Sequence, residues 1–302
     1  MRTEPLGDSG LLVSRVGLGC NNFGSRIDLE RTREVVDAAL DTGVTFFDTA
    51  DIYGSRGGSE RFIGELLQGR RERVVLATKL GSDMGEGPNG SAEYVPRAIR
   101  SSLERLQTDH VDLYYYHRPD GVTPIGETLA AMQELVREGL VRAIGCSNFS
   151  AAQLAEADEI ARASGGPRFV AVQNEYSLLE REAEVDVLPL ARELGVAFVP
   201  YFPLASGLLT GKYLRGEPRP GGTRLEGREI DAATFDRVEA LEAFASERGH
   251  SLLELAIAAL ASQPGIPSVI AGATSPEQVR ANAAAAAWEL SPDDLAALAR
   301  LA

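Results

Sequence analysis

VTFFDTADIYG, residues 44–54, begins with four β-branched or aromatic residues and stops on an aspartate. The same design recurs twice downstream. RVVLATK (73–79) ends on Lys79, and VDLYYYH (111–117) ends on His117. Continuous apolar strands are expected of a parallel sheet buried on both faces. Each is followed by a stretch of helical character: SERFIGELLQG, YVPRAIRSSLERLQ and IGETLAAMQELVREG. Ionisable residues closing three successive strands, with helices between them, converge at one mouth of a parallel β-structure.

Working outward, the pattern holds along the chain. VSRVGLG (13–19) precedes LERTREVVDAALDTG, VRAIGC (141–146) precedes AAQLAEADEIARAS, and RFVAVQ (168–173) precedes AEVDVLPLARELG. VAFVPY (196–201) leads through a long loop to FDRVEALEAFASERG, and SVIAG (268–272) leads to EQVRANAAAAAW. Eight strand-helix units in 302 residues fit a closed (β/α)8 TIM barrel, a single domain over residues 1–302. A doubly wound sheet is the alternative, but Gly17 and Gly19 are followed by Cys-Asn-Asn-Phe-Gly rather than by a GxGxxG turn and helix. EPLGDSGLLVS reads as an N-terminal β-hairpin. The irregular stretch 203–230 after the seventh strand carries six glycines and reads as a mobile flap over the rim, with plain disorder as the alternative.

Composition narrows the function classes. The formal net charge is −14 with no basic run, which argues against a nucleic-acid surface. No segment approaches the roughly 18 apolar residues of a membrane span, and the start lacks the look of a signal peptide. Cys20 and Cys146 each follow an apolar strand and read as buried free thiols; no metal-ligand spacing is present. The expectation is a cytoplasmic protein acting on small molecules.

Barrel active sites lie at the C-terminal ends of the strands. Asp48, Lys79, His117, Ser147, Asn148, Gln173 and Tyr201 all fall there, with Tyr53 just beyond. Phenols titrate near pH 10. An ammonium about 4 Å away is expected to favour the phenolate by up to about 4 kcal/mol at an effective dielectric near 20. Lys79, held by Asp48, is therefore expected to lower the pKa of Tyr53 and make it a proton donor to a developing alkoxide. His117 would donate to the same oxygen. Taken singly, Asp48–Lys79 is equally a rim salt bridge; together the four favour a site. A Schiff-base aldolase using Lys79 is a second enzymatic reading.

DTADIYG with Lys79 and His117 resembles the aldo-keto reductase signature, as do VGLGC (16–20), IGCSN (144–148), VQNEYSLLERE (172–182) and PLASGLLTGKY (203–213). The chain is most similar to the bacterial branch related to potassium channel β-subunits. The resemblance implies NAD(P)H-dependent, reversible reduction of aldehydes or ketones, with Asp48, Tyr53, Lys79 and His117 as the catalytic tetrad. It also leaves room for a nucleotide-binding sensor or partner subunit with little turnover.

For the cofactor the resemblance implies Ser147, Asn148 and Gln173 at the carboxamide and Tyr201 stacked on the nicotinamide. It also implies Gly19, Cys20, Asn21, Asp48, Phe202, Leu204, Ser206, Gly207 and Lys212 along the dinucleotide, with Gly272, Thr274, Gln278 and Asn282 at the adenosine end. Similar proteins often place a cation at Thr274; here it is missing. NADP(H) is thus expected with NAD(H) possible, and Arg224, Arg219, Arg228 and Arg280 are the candidates to compensate. Ser275-Pro276-Glu277-Gln278 reads as a capping box with proline at the first helical position. Phe23, Ile52, Tyr53, Tyr115, His117 and Arg118 are expected to line the substrate pocket. The oligomeric state is left open by the sequence.

Overall fold

A computed structural model describes residues 1–301. The two short strands β1 (Thr3–Pro5) and β2 (Leu12–Ser14) pair antiparallel, forming the expected hairpin. Eight parallel strands follow: β3 (Val16–Gly19), β4 (Phe46–Asp48), β5 (Val75–Leu80), β6 (Val111–Tyr116), β7 (Val141–Ser147), β8 (Phe169–Gln173), β9 (Ala197–Phe198) and β10 (Val269–Gly272). β3 to β9 pair in chain order, and β10 returns to β3. Beyond β9 the chain bridges again, Tyr201 with Ile270, and the Ile270 amide donates to the Pro200 carbonyl at 3.0 Å. The sheet thus curls round on itself as a (β/α)8 barrel, and the consecutive order excludes the doubly wound alternative.

Alternation along each strand sorts its side chains into two cores. Phe46, Ala77, Leu113, Tyr115, Ala143, Ala171, Val199 and Ile270 pack together inside the ring, where Leu6 and Val13 of the hairpin region join them. Their neighbours Phe47, Leu76, Tyr114, Ile144, Val172, Phe198 and Val269 face outward and pack with the helices. The interior is crowded: a Cβ on Gly145 would lie 2.7 Å from the ring of Tyr115.

Helices follow from the matching period. In α3 (Tyr94–Leu106) the buried residues are Val95, Ala98, Ile99, Ser102, Leu103 and Leu106, a stripe at three- and four-residue spacing. α5 (Ala151–Ser164) starts with a reciprocal Ser150–Gln153 capping box and ends on Gly165 at φ 65°. α1 (Leu29–Asp41), α2 (Tyr53–Leu66), α4 (Ile125–Arg137) and α6 (Val187–Leu194) complete the outer layer as far as β9.

One expectation fails after β9. The alternating pattern called for one helix there, but the chain forms two, α7 (Ala232–Ser246) and α8 (Leu252–Ala261), before β10. α8 reads LLELAIAALA and buries eight of its ten residues, because it packs between α7 and α9 (Pro276–Ala285). An apolar face all round leaves no periodic signal to read. A last helix, α10 (Pro292–Leu298), closes the chain. Among the described residues no helix is long and apolar enough to cross a membrane, and Cys20 and Cys146 are buried and unpaired.

Candidate active site

The same alternation that fills the barrel interior aims the site. Two residues beyond inward-facing Phe46, Ala77, Tyr115, Gly145, Ala171 and Val199 stand Asp48, Lys79, His117, Ser147, Gln173 and Tyr201. Six polar side chains are thereby brought over one end of the barrel by strand parity alone.

Lys79 is fully buried and Asp48 is 2% exposed. The Lys79 ammonium donates to Asp48 Oδ1 at 2.5 Å and to the Thr49 carbonyl at 2.8 Å; Gln173 Nε2 donates to Asp48 Oδ2 at 2.8 Å. Burial pulls the ammonium down, but Asp48 and then Tyr53 outweigh it, so Lys79 is held above its ordinary pKa. It stays charged.

Tyr53 stands over this pair, with Lys79 Nζ 5.2 Å from its ring centroid. Here the sequence reading needs correcting. Burial raises the phenol pKa above its usual value, and the lowering by Lys79 is countered by Asp48 and Cys20. Desolvation outweighs the attraction, so Tyr53 carries its proton firmly at neutral pH.

The phenol is presented by an unusual backbone. Gly54, Ser55, Arg56 and Gly57 all have positive φ, from 60° to 98°, so the chain makes a left-handed turn before the regular part of α2. Ser55 and Arg56 bear the side-chain clash this region imposes. A Cβ on Gly54 would approach both the Phe23 carbonyl oxygen and the Ser59 amide to 2.5 Å.

His117 meets Tyr53 edge to face, ring centroids 5.8 Å apart. Burial, then Lys79 and Arg118, push its pKa down to about 3, so the imidazole is neutral. Ser82 Oγ lies 3.0 Å from His117 Nδ1. When that hydroxyl donates, the ring hydrogen sits on Nε2. Ser82 was not foreseen; it follows β5 in a loop whose apposition to His117 is tertiary.

Asp48, Tyr53 and His117 open on a cavity of about 570 Å³ at the strand ends. Every expected cofactor residue lines it: Gly19, Cys20, Asn21, Asp48, Ser147, Asn148, Gln173, Tyr201, Phe202, Leu204, Ser206, Gly207, Lys212, Gly272, Thr274, Gln278 and Asn282. Asn148, at φ 58°, donates to the His117 carbonyl (2.8 Å) and to Ser147 Oγ (3.0 Å), and accepts from the Tyr201 hydroxyl at 2.7 Å. Those bonds hold Tyr201 in place as part of the wall.

Of the substrate-pocket residues, Tyr53, His117 and Arg118 line the cavity; Phe23, Ile52 and Tyr115 do not. Phe23 is fully buried in the outer core. Tyr115 is fully buried inside the barrel, two residues and about 7 Å beneath His117. Ile52 is a half-buried neighbour of Tyr53.

At the far end, Ser275 caps α9 by accepting from the Gln278 amide, but the box is not reciprocal. Gln278 Oε1 accepts instead from the Thr274 amide at 2.8 Å. Among the arginines considered for the missing cation, only Arg224 lines the cavity. Arg280 lies 4.0 Å from Glu277, and Arg219 sits over the Phe235 ring. Arg31 of α1, not foreseen, donates to the Thr274 carbonyl at 3.0 Å.

The stretch 203–230 does cover the rim. It begins with a short 3-10 segment, Ala205–Thr210, and returns so that Gly222, Thr223 and Arg224 face the cavity. Arg224 donates to Asn21 Oδ1 and Asn22 Oδ1, and Arg26 donates to the Gly222 carbonyl. Asn22 and Arg26 were missed because nothing local marks them; their partners lie about 200 residues away.

One further group stands behind the site. Asp51 is 2% exposed, and neither carboxylate oxygen has a hydrogen-bond partner. Burial first, then Glu60, raise its pKa to about 7. The folded pKa exceeds the unfolded one, so as pH rises from about 4 to about 7 the unfolded chain has lost this proton while the native protein keeps it. Stability falls across that window, by at most about 4 kcal/mol for three pH units. Asp51→Asn should remove the fall. Urea unfolding at pH 5 and pH 8 should show a variant that gains on the parent at the higher pH; parallel pH dependence in the two would refute the assignment.

Tyr53, His117 and Asp48 thus face one cavity at the strand ends, with Lys79 buried against Asp48. The profile of the Aldo/keto reductase family matches residues 15–302. A Bacillus subtilis protein named uncharacterized oxidoreductase YrpG is 42% identical over 291 residues, covering 91% of this chain and 88% of that protein. A probable voltage-gated potassium channel subunit beta of Oryza sativa subsp. japonica is 38% identical over 298 residues, 93% of this chain and 90% of its own length. L-glyceraldehyde 3-phosphate reductase of Escherichia coli is 33% identical over 300 residues, 93% and 86%. The chain belongs to the aldo/keto reductase family and is an oxidoreductase of that kind.

Proposed function

We propose that the protein, acting as one barrel domain in the cytoplasm, reversibly reduces aldehydes or ketones to alcohols with a nicotinamide dinucleotide, Tyr53 giving the proton. The observation that carries this reading is the convergence of Tyr53 and neutral His117 on the cavity, with the Asp48–Lys79 pair buried behind them. Protonated Tyr53 donates to the oxygen that gains charge. His117, with its hydrogen on Nε2, polarises the same oxygen without adding a net charge. Lys79 stabilises the phenolate left behind, and Asp48 and Thr49 fix its position.

The walls fit a dinucleotide. Ser147 retains a hydroxyl hydrogen, and Asn148 Oδ1 a second lone pair, for a carboxamide. Gln173, tied to Asp48, completes that wall, and Tyr201 offers its ring face. When bound, the dinucleotide supplies the hydride. The charge balance of the cavity also favours it: in a chain of net charge −14, the charged lining residues are Arg26, Arg118, Lys212 and Arg224 against Asp48 alone. Lys212 lies against Gly207, where a Cβ would come within 2.7 Å of its Nζ. Lys212 and Arg224 are the cations for the phosphates, and they support NADP(H) although Thr274 carries no charge.

The aldolase reading loses ground on Lys79 itself. A Schiff base needs a neutral, reachable amine, whereas this one is fully buried, charged and doubly hydrogen-bonded. The test is to titrate the protein with NADPH and NADH, then add an aromatic aldehyde and follow nicotinamide absorbance. Tighter binding of NADPH and its oxidation are expected. Tight binding without turnover across a carbonyl panel would favour a sensor, and no binding of either nucleotide would refute the reading.

A further inference from the structure

Four cations line the cavity, and one of them stands at the end where the chemistry would occur. Of its four cations, Arg26 and Arg224 fasten the stretch 203–230 to the rim, Arg224 through one terminal nitrogen that leaves the rest of its guanidinium for the proposed phosphates. Lys212 lies beside Gly207, on the side proposed for the phosphates. Arg118 remains. It follows His117 directly, it is exposed, and it lines the cavity. Among the described residues no hydrogen bond or ion pair occupies its guanidinium.

Its field reaches both walls of the reaction end. Arg118 is among the charges that lower His117 on one side, and it opposes the upward shift of Tyr201 on the other. Asp48 is saturated by Lys79 and Gln173. A guanidinium at the mouth of a reaction site, with five donors in a planar fork and no protein acceptor, is complementary to a carboxylate or a phosphate.

We propose that Arg118 is the specificity-determining residue of the substrate end, and that the carbonyl compounds this protein handles best carry a carboxylate or phosphate group. The inference rests on the reductase reading above for its chemistry, but not for the anion contact itself. A neutral aldehyde meets Tyr53 and His117 with nothing for Arg118 to hold. An anionic one is oriented by a bidentate pair while its carbonyl faces the phenol.

The experiment compares matched substrates that differ in one charge: 4-carboxybenzaldehyde against benzaldehyde, and glyceraldehyde 3-phosphate against glyceraldehyde. The readout is the ratio of kcat/KM within each pair, with NADPH saturating. The parent protein should prefer the anionic member of at least one pair by about 10- to 100-fold, the range of a charge-assisted hydrogen bond. Which pair shows it tells carboxylate from phosphate. Arg118→Gln should collapse that ratio, Arg118→Lys should restore part of it, and added salt should erode it. A ratio near one in both pairs, or a ratio unchanged in Arg118→Gln, overturns the proposal while leaving the reductase standing. If no aldehyde is reduced, binding of 4-carboxybenzaldehyde to the NADPH-loaded protein by calorimetry decides. Loss of that binding in Arg118→Gln upholds the anion site though the reductase reading has failed; equal binding in parent and variant overturns it.

Discussion

Tyr53→Phe lowers kcat for carbonyl reduction by about 10²- to 10⁴-fold, the contribution of a positioned general acid, while the dissociation constant for NADPH changes by no more than about twofold. The substitution deletes one oxygen. The ring keeps its edge-to-face contact with His117, and the Lys79–Asp48 pair is made without the hydroxyl. Burial keeps the phenol protonated at neutral pH, and its neighbours do not replace it: His117 holds no second proton until about pH 3, and the Tyr201 hydroxyl is committed to Asn148. Stopped-flow single turnover separates this step from product release. A variant with parent-like single-turnover rates would remove Tyr53 from the proton path.

Lys79→Met is expected to cost about 3–5 kcal/mol of unfolding free energy at pH 7, which is what breaking one side of a buried ion pair typically costs. Asp48 would be left 2% exposed with only Gln173 as a donor. The useful control is Asp48→Asn in the same background. Removing both charges relieves the orphaned carboxylate, so the double variant should be less destabilised than the sum of the singles by about 1–3 kcal/mol. Denaturant unfolding of the four proteins completes the cycle; strictly additive losses would mean that the pair is not coupled. The double variant should recover stability without recovering turnover, since the charge behind Tyr53 stays absent.

How much of this was legible beforehand follows from the reach of each signal. Strands declare themselves through apolar runs, and their inward parity then dictates that Asp48, Lys79, His117, Ser147, Gln173 and Tyr201 share one mouth. That inference needs no tertiary information beyond closure of the sheet. Tyr115 shows the limit of the same rule. It has the right parity, but two residues of rise put it under the cavity floor. Phe23 sits next to rim residues in sequence, yet its ring is fully buried in the outer core. The sign of the Tyr53 shift was misjudged because Coulomb attraction can be guessed from residue types, whereas desolvation depends on the atoms packed around the ring. Ser82, Asn22 and Arg26 act through contacts between distant loops, and α8 is apolar on every side, so neither left a periodic trace. Asp51 looked like an ordinary loop acid in DTADIYG until its burial was known.

The ring of strands is not equally strong all round. β5 and β6 register over four residue pairs, whereas β9 is two residues long, and the chain past it meets β10 through the bridge of Tyr201 with Ile270 and one amide from Ile270, with the Phe198 amide reaching the Gly265 carbonyl ahead of β10. That junction is the seam of the barrel, and local opening starts where the fewest bonds must break. Tyr201 stands on one lip of the seam; Gly272, Gln278 and Asn282 stand beyond the other. Any ligand long enough to touch both lips is a strap across the weakest joint, and its binding energy is added to closure of the barrel as well as to its own retention.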